Sequence, residues 1–216
     1  MSRNGDLVDQ PGELARQLDM EMRFGAVRSF AVIDGGATTG AGVFGNALLS
    51  RAPIHDARVV ALPAAPKDEL IEPVGADHPA AGLRWAGASP TLREPRSIVL
   101  ADVEGLRAGS AHLSHVGSGE RLLQAQAIHA SFDDASPAVL LADLNARVDA
   151  PELVPLASWN DGFSVAADDP ARISTDDGMS IDQLLTRGAS VSACRVDRRS
   201  GELSDHYPIV ADVALL

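Results

Sequence analysis

A chain of 216 residues with 45% hydrophobic and 22% charged residues is long enough to bury a sizeable core, which excludes disorder throughout. Its formal net charge of −12 argues against an extended basic surface for nucleic-acid backbones, and its one cysteine, Cys194, excludes an internal disulfide and a cysteine-based metal site. The sequence shows no signal-peptide pattern and no apolar run of the ~18 residues that span a membrane. We therefore expect a cytoplasmic protein without a transmembrane segment.

The first half of the chain predicts one short helix followed by strands. Asp9 is a suitable N-cap and Pro11 is tolerated in a first turn, so a helix is predicted to carry residues 13–18. Six of the 13 prolines lie between residues 62 and 97, which predicts an irregular connection there. Glu104 and Gly105 predict a hairpin turn. The predicted strands are 27–33, 43–50, 58–62, 97–103 and 106–113.

The second half mixes helices with strands. Ser118 is the expected N-cap of a helix that reaches Phe132, and a second helix is predicted over 151–158. This mixture indicates an α/β or α+β layered domain, and no repeat or boundary divides it, so residues 1–216 are expected to form a single domain. The predicted strands are 138–141, 181–186, 191–196 and 207–216.

Two polar pairs lie next to predicted strands and can carry phosphoester chemistry. Asp143 and Asn145 lie two residues apart after a buried strand, so extended backbone would place both side chains on one face. The carboxylate offers charge, and the amide can donate to a phosphate oxygen or offer its carbonyl to a metal ion. The alternative is an Asx turn that closes the strand, because Asp and Asn favour such turns.

The second pair is Asp205 and His206, at the mouth of the last strand. Extended backbone would point these side chains to opposite faces, so that one can bind a metal ion while the other faces the nucleophile. An imidazole can act as the general base, and Asp182 is a candidate to orient it by a hydrogen bond. Taken alone, the Asp-His pair also fits a solvated turn, and Asp182 fits a strand-end cap.

His112 ends an alternating strand and either supplies a second histidine to the site or is a half-buried histidine bonded to backbone. Arg121 and Gln124 share a predicted helix face, where they either brace the site or are solvated. The remaining histidines are expected to be surface or packing residues; they are His55, His78, His115 and His129.

The joint pattern resembles the endonuclease/exonuclease/phosphatase superfamily, a group of DNase I-like metal-dependent phosphoesterases. The match runs from about Asp6 to the C-terminus, and its most specific parts are the Ser-Asp-His and Asp-x-Asn motifs in this order. The segments that carry it are 45–54 (GNALLSRAPI), 111–113 (AHL), 121–124 (RLLQ), 142–145 (ADLN), 181–182 (ID) and 204–208 (SDHYP).

The resemblance implies a four-layered α/β/β/α sandwich and phosphoester hydrolysis that depends on Mg²⁺ or Mn²⁺. It also implies His206 as general base, with Asp182 orienting it. Asp143 and Asn145 would contact the phosphate and the nucleophile or leaving group, and His112 would steady the scissile phosphate. Asp205 and Asp143 would lie at the metal.

The resemblance also has departures. Family members begin with a strand that bears an Asn, then a helix, then a strand that ends in Gln-Glu, whose Glu is the principal metal ligand. Residues 3–10 here resemble the segment after that Glu, so we expect a chain that lacks its first strand-helix-strand, through either an altered start or a true truncation. Ala111 and Ala142 stand where the family has Thr and Gly.

Three readings of the function follow. The first is a divalent-metal phosphoesterase, with a small-molecule or lipid phosphoester preferred over bulk nucleic acid because of the negative charge. The second is a catalytically impaired, truncated relative that binds a phosphorylated ligand or a protein. The third is an unrelated α/β domain, which predicts that Asp143, Asp182 and His206 do not converge in space.

Overall fold

The computed structural model describes residues 8–34, 37–64, 95–133, 135, 137–199 and 204–215. Two α-helices are present in these ranges, α1 (Gln10–Leu18) and α2 (Ser118–Ser131), with short 3₁₀ helices at Pro151–Leu156 and Pro170–Arg172. The strands are β1 (Glu21–Asp34), β2 (Ala37–Ser50), β3 (His55–Leu62), β4 (Arg96–Val103), β5 (Leu106–His112), β6 (Ala138–Asp143), β7 (Asn160–Asp161), β8 (Asp182–Arg187), β9 (Ala189–Val196) and β10 (Ile209–Leu215).

A six-stranded sheet lies at the centre of the described structure, with the strand order β3-β4-β5-β6-β8-β7. β5 and β6 are parallel and are connected through α2, whereas the other neighbours are antiparallel. The turn between β4 and β5 is formed by Glu104 and Gly105, both at positive φ, as a tight hairpin requires. This topology brings the ends of β5, β6 and β8 to one region of the sheet.

One face of the six-stranded sheet is covered by α2 and the first 3₁₀ helix. Ile98, Leu100 and Leu140 are fully buried on this face. The Phe132 ring meets Trp159 edge to face, with centroids 4.8 Å apart. A Cβ at Gly109 would lie 2.6 Å from Phe132 Cζ, so β5 needs a glycine where this ring packs on it.

The opposite face is covered by two antiparallel hairpins, β1-β2 and β9-β10. Val99, Val139 and Leu184 form the core between sheet and hairpins. Helix α1 contacts β1 and β2, and the Asp9 side chain accepts a hydrogen bond from the Gly12 amide as its N-cap. The layers form an α/β sandwich, as the resemblance implied.

Several local predictions differ from the structure. β1 and β2 are longer than predicted, because backbone pairing continues through glycine-rich and polar stretches and across a register shift near Ala26. α2 begins at Ser118, but its N-cap is Gly117, so the predicted serine cap is wrong. The helix predicted at 151–158 is a 3₁₀ helix that contains Pro155. The predicted irregular connection lies mostly outside the described residues, as does His78.

Candidate active site

Three of the predicted site residues lie side by side at the ends of neighbouring strands. His112 on β5 is the register partner of Asp143 on β6, and Asp143 is the register partner of Asp182 on β8. Register partners on adjacent strands point to the same face of a sheet. The backbone pairing therefore brings together one imidazole and two carboxylates. Asp143 follows His112 by 31 residues along the chain, and Asp182 follows Asp143 by 39.

The chain turns immediately after Asp143. The Asn145 amide donates to Asp143 Oδ1 at 2.9 Å, and Asn145 has a φ of 48°, a left-handed conformation that Asn tolerates. Its side-chain Nδ2 donates to the Leu113 carbonyl at 2.9 Å, which ties this turn to the end of β5. The Asx turn is thus present, and the same turn leaves Asp143 Oδ2 facing His112.

His206 joins the carboxylates from a separate segment before β10. Its Nδ1 donates to Asp182 Oδ2 at 2.8 Å, and its backbone forms an isolated antiparallel bridge with Thr175. The His206 side chain is 35% exposed and that of Asp182 is 20% exposed. A carboxylate at Nδ1 fixes the tautomer and leaves Nε2 as the nitrogen that can accept a proton.

Asp143, Asp182 and His206 converge in space. Each offers one ligand atom, and these three atoms lie within 4.8 Å of one another. Asp205 is outside this group; its side chain is exposed and accepts a hydrogen bond from Ser204 Oγ. Beside the group lies a cleft of about 450 Å³, whose walls include Leu141, Tyr207 and Ile209.

Burial and charge shift the pKa values of Asp143, His206 and His112. Burial, reinforced by the charge of Asp182, raises the pKa of Asp143 from 3.8 to about 6. The hydrogen bond to Asp182 raises the pKa of His206 from 6.5 to about 9. Burial lowers the pKa of His112 from 6.5 to about 3, so this imidazole is neutral at physiological pH. A base and an acid with displaced pKa values in one cleft are typical of catalytic sites.

His112 contacts both a carboxylate and an aromatic ring. Its Nε2 lies 3.2 Å from Asp143 Oδ2, and the Phe44 ring of β2 approaches it edge-on with centroids 6.1 Å apart. Phe44 did not stand out in the sequence, since nothing in its local pattern distinguishes it from an ordinary strand residue. The histidine therefore lies in the site, held between β2 and β6.

Arg121 and Gln124 brace the chain that follows β5. Gln124 Oε1 accepts the Ser114 amide at 2.8 Å, and Arg121 Nη1 donates to the Ser114 carbonyl at 3.4 Å. His115 lies next to this segment, with Nδ1 3.3 Å from a guanidinium nitrogen of Arg96. These contacts hold the backbone just beyond His112.

Ser174 is a site residue that sequence reasoning missed. It is fully buried, and its hydroxyl bonds Asp182. Its distance of eight residues from Asp182 matches no motif, so the contact depends on the loop between them.

No helix among the described residues is long and apolar enough to cross a bilayer.

Solved structures share this fold at low sequence identity. An endonuclease/exonuclease/phosphatase from Beutenbergia cavernae aligns with a TM-score of 0.68 and 22% identity over 98% of this chain, which spans 58% of that protein's length. A mannosyl-6-phosphatase from Bacteroides thetaiotaomicron aligns with a TM-score of 0.60 and 16% identity, over 95% of this chain and 81% of that one. A 3′-5′ exonuclease from Neisseria meningitidis aligns with a TM-score of 0.58 and 18% identity, over 94% and 83%.

The amino-acid sequence gives the family directly. No curated protein matches this chain. The sequence model of the Endonuclease/Exonuclease/phosphatase family, in contrast, matches residues 6–206, which contain His112, Asp143, Asp182 and His206. Fold and sequence agree, and the chain belongs to the endonuclease/exonuclease/phosphatase family.

Proposed function

We propose that this protein is a divalent-metal-dependent phosphoester hydrolase with His206 as its general base. The observation that carries the proposal is the convergence of Asp143, Asp182 and His206, with the His206–Asp182 hydrogen bond at 2.8 Å. Membership in a family of phosphoesterases supports the reaction class. The third reading of the sequence, an unrelated domain, required these residues to lie apart.

The chain's own residues have separate tasks in this proposal. His206, with Nδ1 held by Asp182, takes a proton from the attacking water at Nε2. The neutral His112 has one N–H, which can donate a hydrogen bond to an oxygen of the scissile phosphate. Asn145 fixes the end of β6 through Leu113 and has a second amide hydrogen for a phosphate oxygen.

The donor set fits Mg²⁺ or Mn²⁺, which prefer oxygen ligands. Asp143 and Asp182 would supply carboxylate oxygens within the 4.8 Å group. Asp205 is exposed and lies outside this group, and we assign it to the same ion from its place in the Ser-Asp-His motif. When bound, a divalent cation supplies positive charge that stabilises the phosphoryl oxygens and disfavours the imidazolium form of His206.

A small-molecule or lipid phosphoester suits the cleft better than bulk nucleic acid. The formal net charge of −12 repels an extended polyanion, and the cleft beside the acidic group has apolar walls at Leu141, Pro208 and Ile209. These walls can accept an apolar part of the molecule that carries the phosphate.

Hydrolysis of a panel of phosphodiesters and phosphomonoesters, with Mg²⁺ or Mn²⁺ and with EDTA, tests the proposal. We expect metal-dependent turnover that falls by about 10²–10⁴-fold in His206→Ala. His55→Ala is the matched control, because His55 is an exposed histidine at the start of β3. Full turnover in His206→Ala contradicts the assignment, and phosphate binding without turnover in the wild type favours the impaired-relative reading.

A further inference from the structure

Ser174 makes two hydrogen bonds to Asp182. Its Oγ donates to Asp182 Oδ2 at 2.6 Å and accepts from the Asp182 amide at 3.2 Å. Oδ2 is the same oxygen that accepts the His206 Nδ1–H at 2.8 Å. The serine is 0% exposed, so bulk water does not compete for its hydroxyl.

The backbone around Ser174 also holds the chain on both sides of His206. The Tyr207 amide donates to the Ser174 carbonyl at 2.7 Å, and the Asp176 amide donates to the Asp205 carbonyl at 2.9 Å. The loop is closed on itself, since the Ser174 amide donates to the Met179 carbonyl at 2.8 Å. Residues 174–176 therefore contact the backbone beside the imidazole and the carboxylate that bonds it.

We propose that Ser174 is a positioning residue that fixes the Asp182 carboxylate in the orientation that reaches His206. This inference rests on the proposed function, because it assigns a role within the same site. The terminal torsion of an Asp side chain has a broad energy profile, so a carboxylate needs neighbours to hold it in one orientation. The Ser174 hydroxyl is such a neighbour, because it donates to Asp182 Oδ2 and also accepts from the Asp182 amide.

Loss of the Ser174 hydroxyl should lower kcat and leave KM unchanged. Ser174 is buried behind Asp182 and is not among the residues that line the cleft, so its loss does not change substrate contacts. A misoriented base slows proton transfer in the bound complex instead. Changes to residues that support a site in this way cost about 10–100-fold in activity.

The experiment compares Ser174→Ala and Ser174→Thr with the wild type and with Thr186→Val. Thr186 is a matched control on the same strand as Asp182, because it is also fully buried and its hydroxyl donates to the Ala189 carbonyl at 3.3 Å. Kinetics use the best substrate of the panel above. The low-field proton NMR signal of His206 Nδ1–H, assigned by its loss in His206→Ala, reports the hydrogen bond to Asp182 without any substrate.

We expect Ser174→Ala to lower kcat about 10–100-fold at unchanged KM and to lose the His206 signal. Ser174→Thr keeps a hydroxyl and should restore both, and Thr186→Val should change neither. If Ser174→Ala does not fold, Ser174→Cys makes the same comparison, because a thiol has similar volume but donates only weakly.

Unchanged kcat together with a retained His206 signal in a folded Ser174→Ala or Ser174→Cys variant overturns the inference. A wild type that hydrolyses nothing overturns the proposed function alone, and the NMR signal then decides the positioning role. In that case, loss of the signal in Ser174→Ala and its return in Ser174→Thr support the role, and its persistence in Ser174→Ala rejects it.

Discussion

Replacing Asp143 by Asn should stabilise the metal-free protein at pH 8, although it removes a charge that we assign to the site. The Asp143 side chain is 16% exposed, and burial with the charge of Asp182 raises its pKa from 3.8 to about 6. The folded state therefore holds this proton more tightly than the unfolded chain does. The resulting stabilisation is complete below pH 3.8 and is lost as the pH rises through about 6.

The magnitude follows from the size of that rise. About two pKa units, at roughly 1.4 kcal/mol per unit, correspond to about 3 kcal/mol of folding free energy lost once the carboxyl is ionised. An Asn side chain has nearly the same size and keeps an oxygen to accept the Asn145 amide, so the turn after β6 remains. We expect Asp143→Asn to exceed the wild type by up to about 3 kcal/mol at pH 8, and by well under about 1 kcal/mol at pH 4.

Urea unfolding in EDTA at a series of pH values from 4 to 8 measures this difference. Asp212→Asn is the matched control, because Asp212 is an exposed aspartate on β10 and its loss should leave the pH dependence unchanged. A difference between Asp143→Asn and the wild type that stays constant from pH 4 to 8, or a less stable variant at pH 8, would refute the reasoning.

Three further predictions concern the His206–Asp182 pair, the metal ligands and the packing at Gly109. NMR titration of the metal-free protein should give His206 a pKa near 9 that falls towards 6.5 in Asp182→Asn, and an unchanged pKa in the variant contradicts this. The stabilisation that the His206–Asp182 hydrogen bond gives the fold is fully present below pH 6.5 and is lost as the pH rises through about 9. Mg²⁺ or Mn²⁺ at about 100 times its Kd should stabilise the wild type by about 2.7 kcal/mol and Asp143→Asn much less, as measured by urea unfolding; equal effects would count against the assigned ligand. Gly109→Ala should destabilise the protein by about 1–3 kcal/mol in urea, because its Cβ would meet the Phe132 ring, and unchanged stability would mean that this ring moves aside freely.

The sequence predicted much of the strand framework, because buried strands leave an apolar signal that depends on near neighbours. Ala138–Asp143 is such a strand, and its end places Asp143 as predicted. The pairing of His112 with Asp143 and of Asp143 with Asp182 depends instead on which strands become neighbours. That information is non-local, and only the family resemblance indicated it.

The remaining differences have local physical causes. Asp143 and Asn145 were expected either to share a strand face or to form an Asx turn, and the amide hydrogen bond to Asp143 Oδ1 shows the turn. Ser174 could not be found from spacing, because its hydroxyl reaches Asp182 through a loop whose path no periodic pattern describes. Gly117 replaced Ser118 as N-cap because its φ of 78° suits glycine.

The assembly of the site from distant segments has a consequence for the order of folding. His112, Asp143, Asp182 and His206 meet only after long stretches of chain have closed, whereas α2 forms within 14 residues. Closing long loops costs entropy before their contacts form, so local structure is favoured early. In pulsed hydrogen exchange during refolding, we expect amides within α2 to become protected before the Tyr207 amide that bonds Ser174. Simultaneous protection would show instead that the helix and the site form in one step. If the helix is protected first, the contacts that orient His206 are among the last to form.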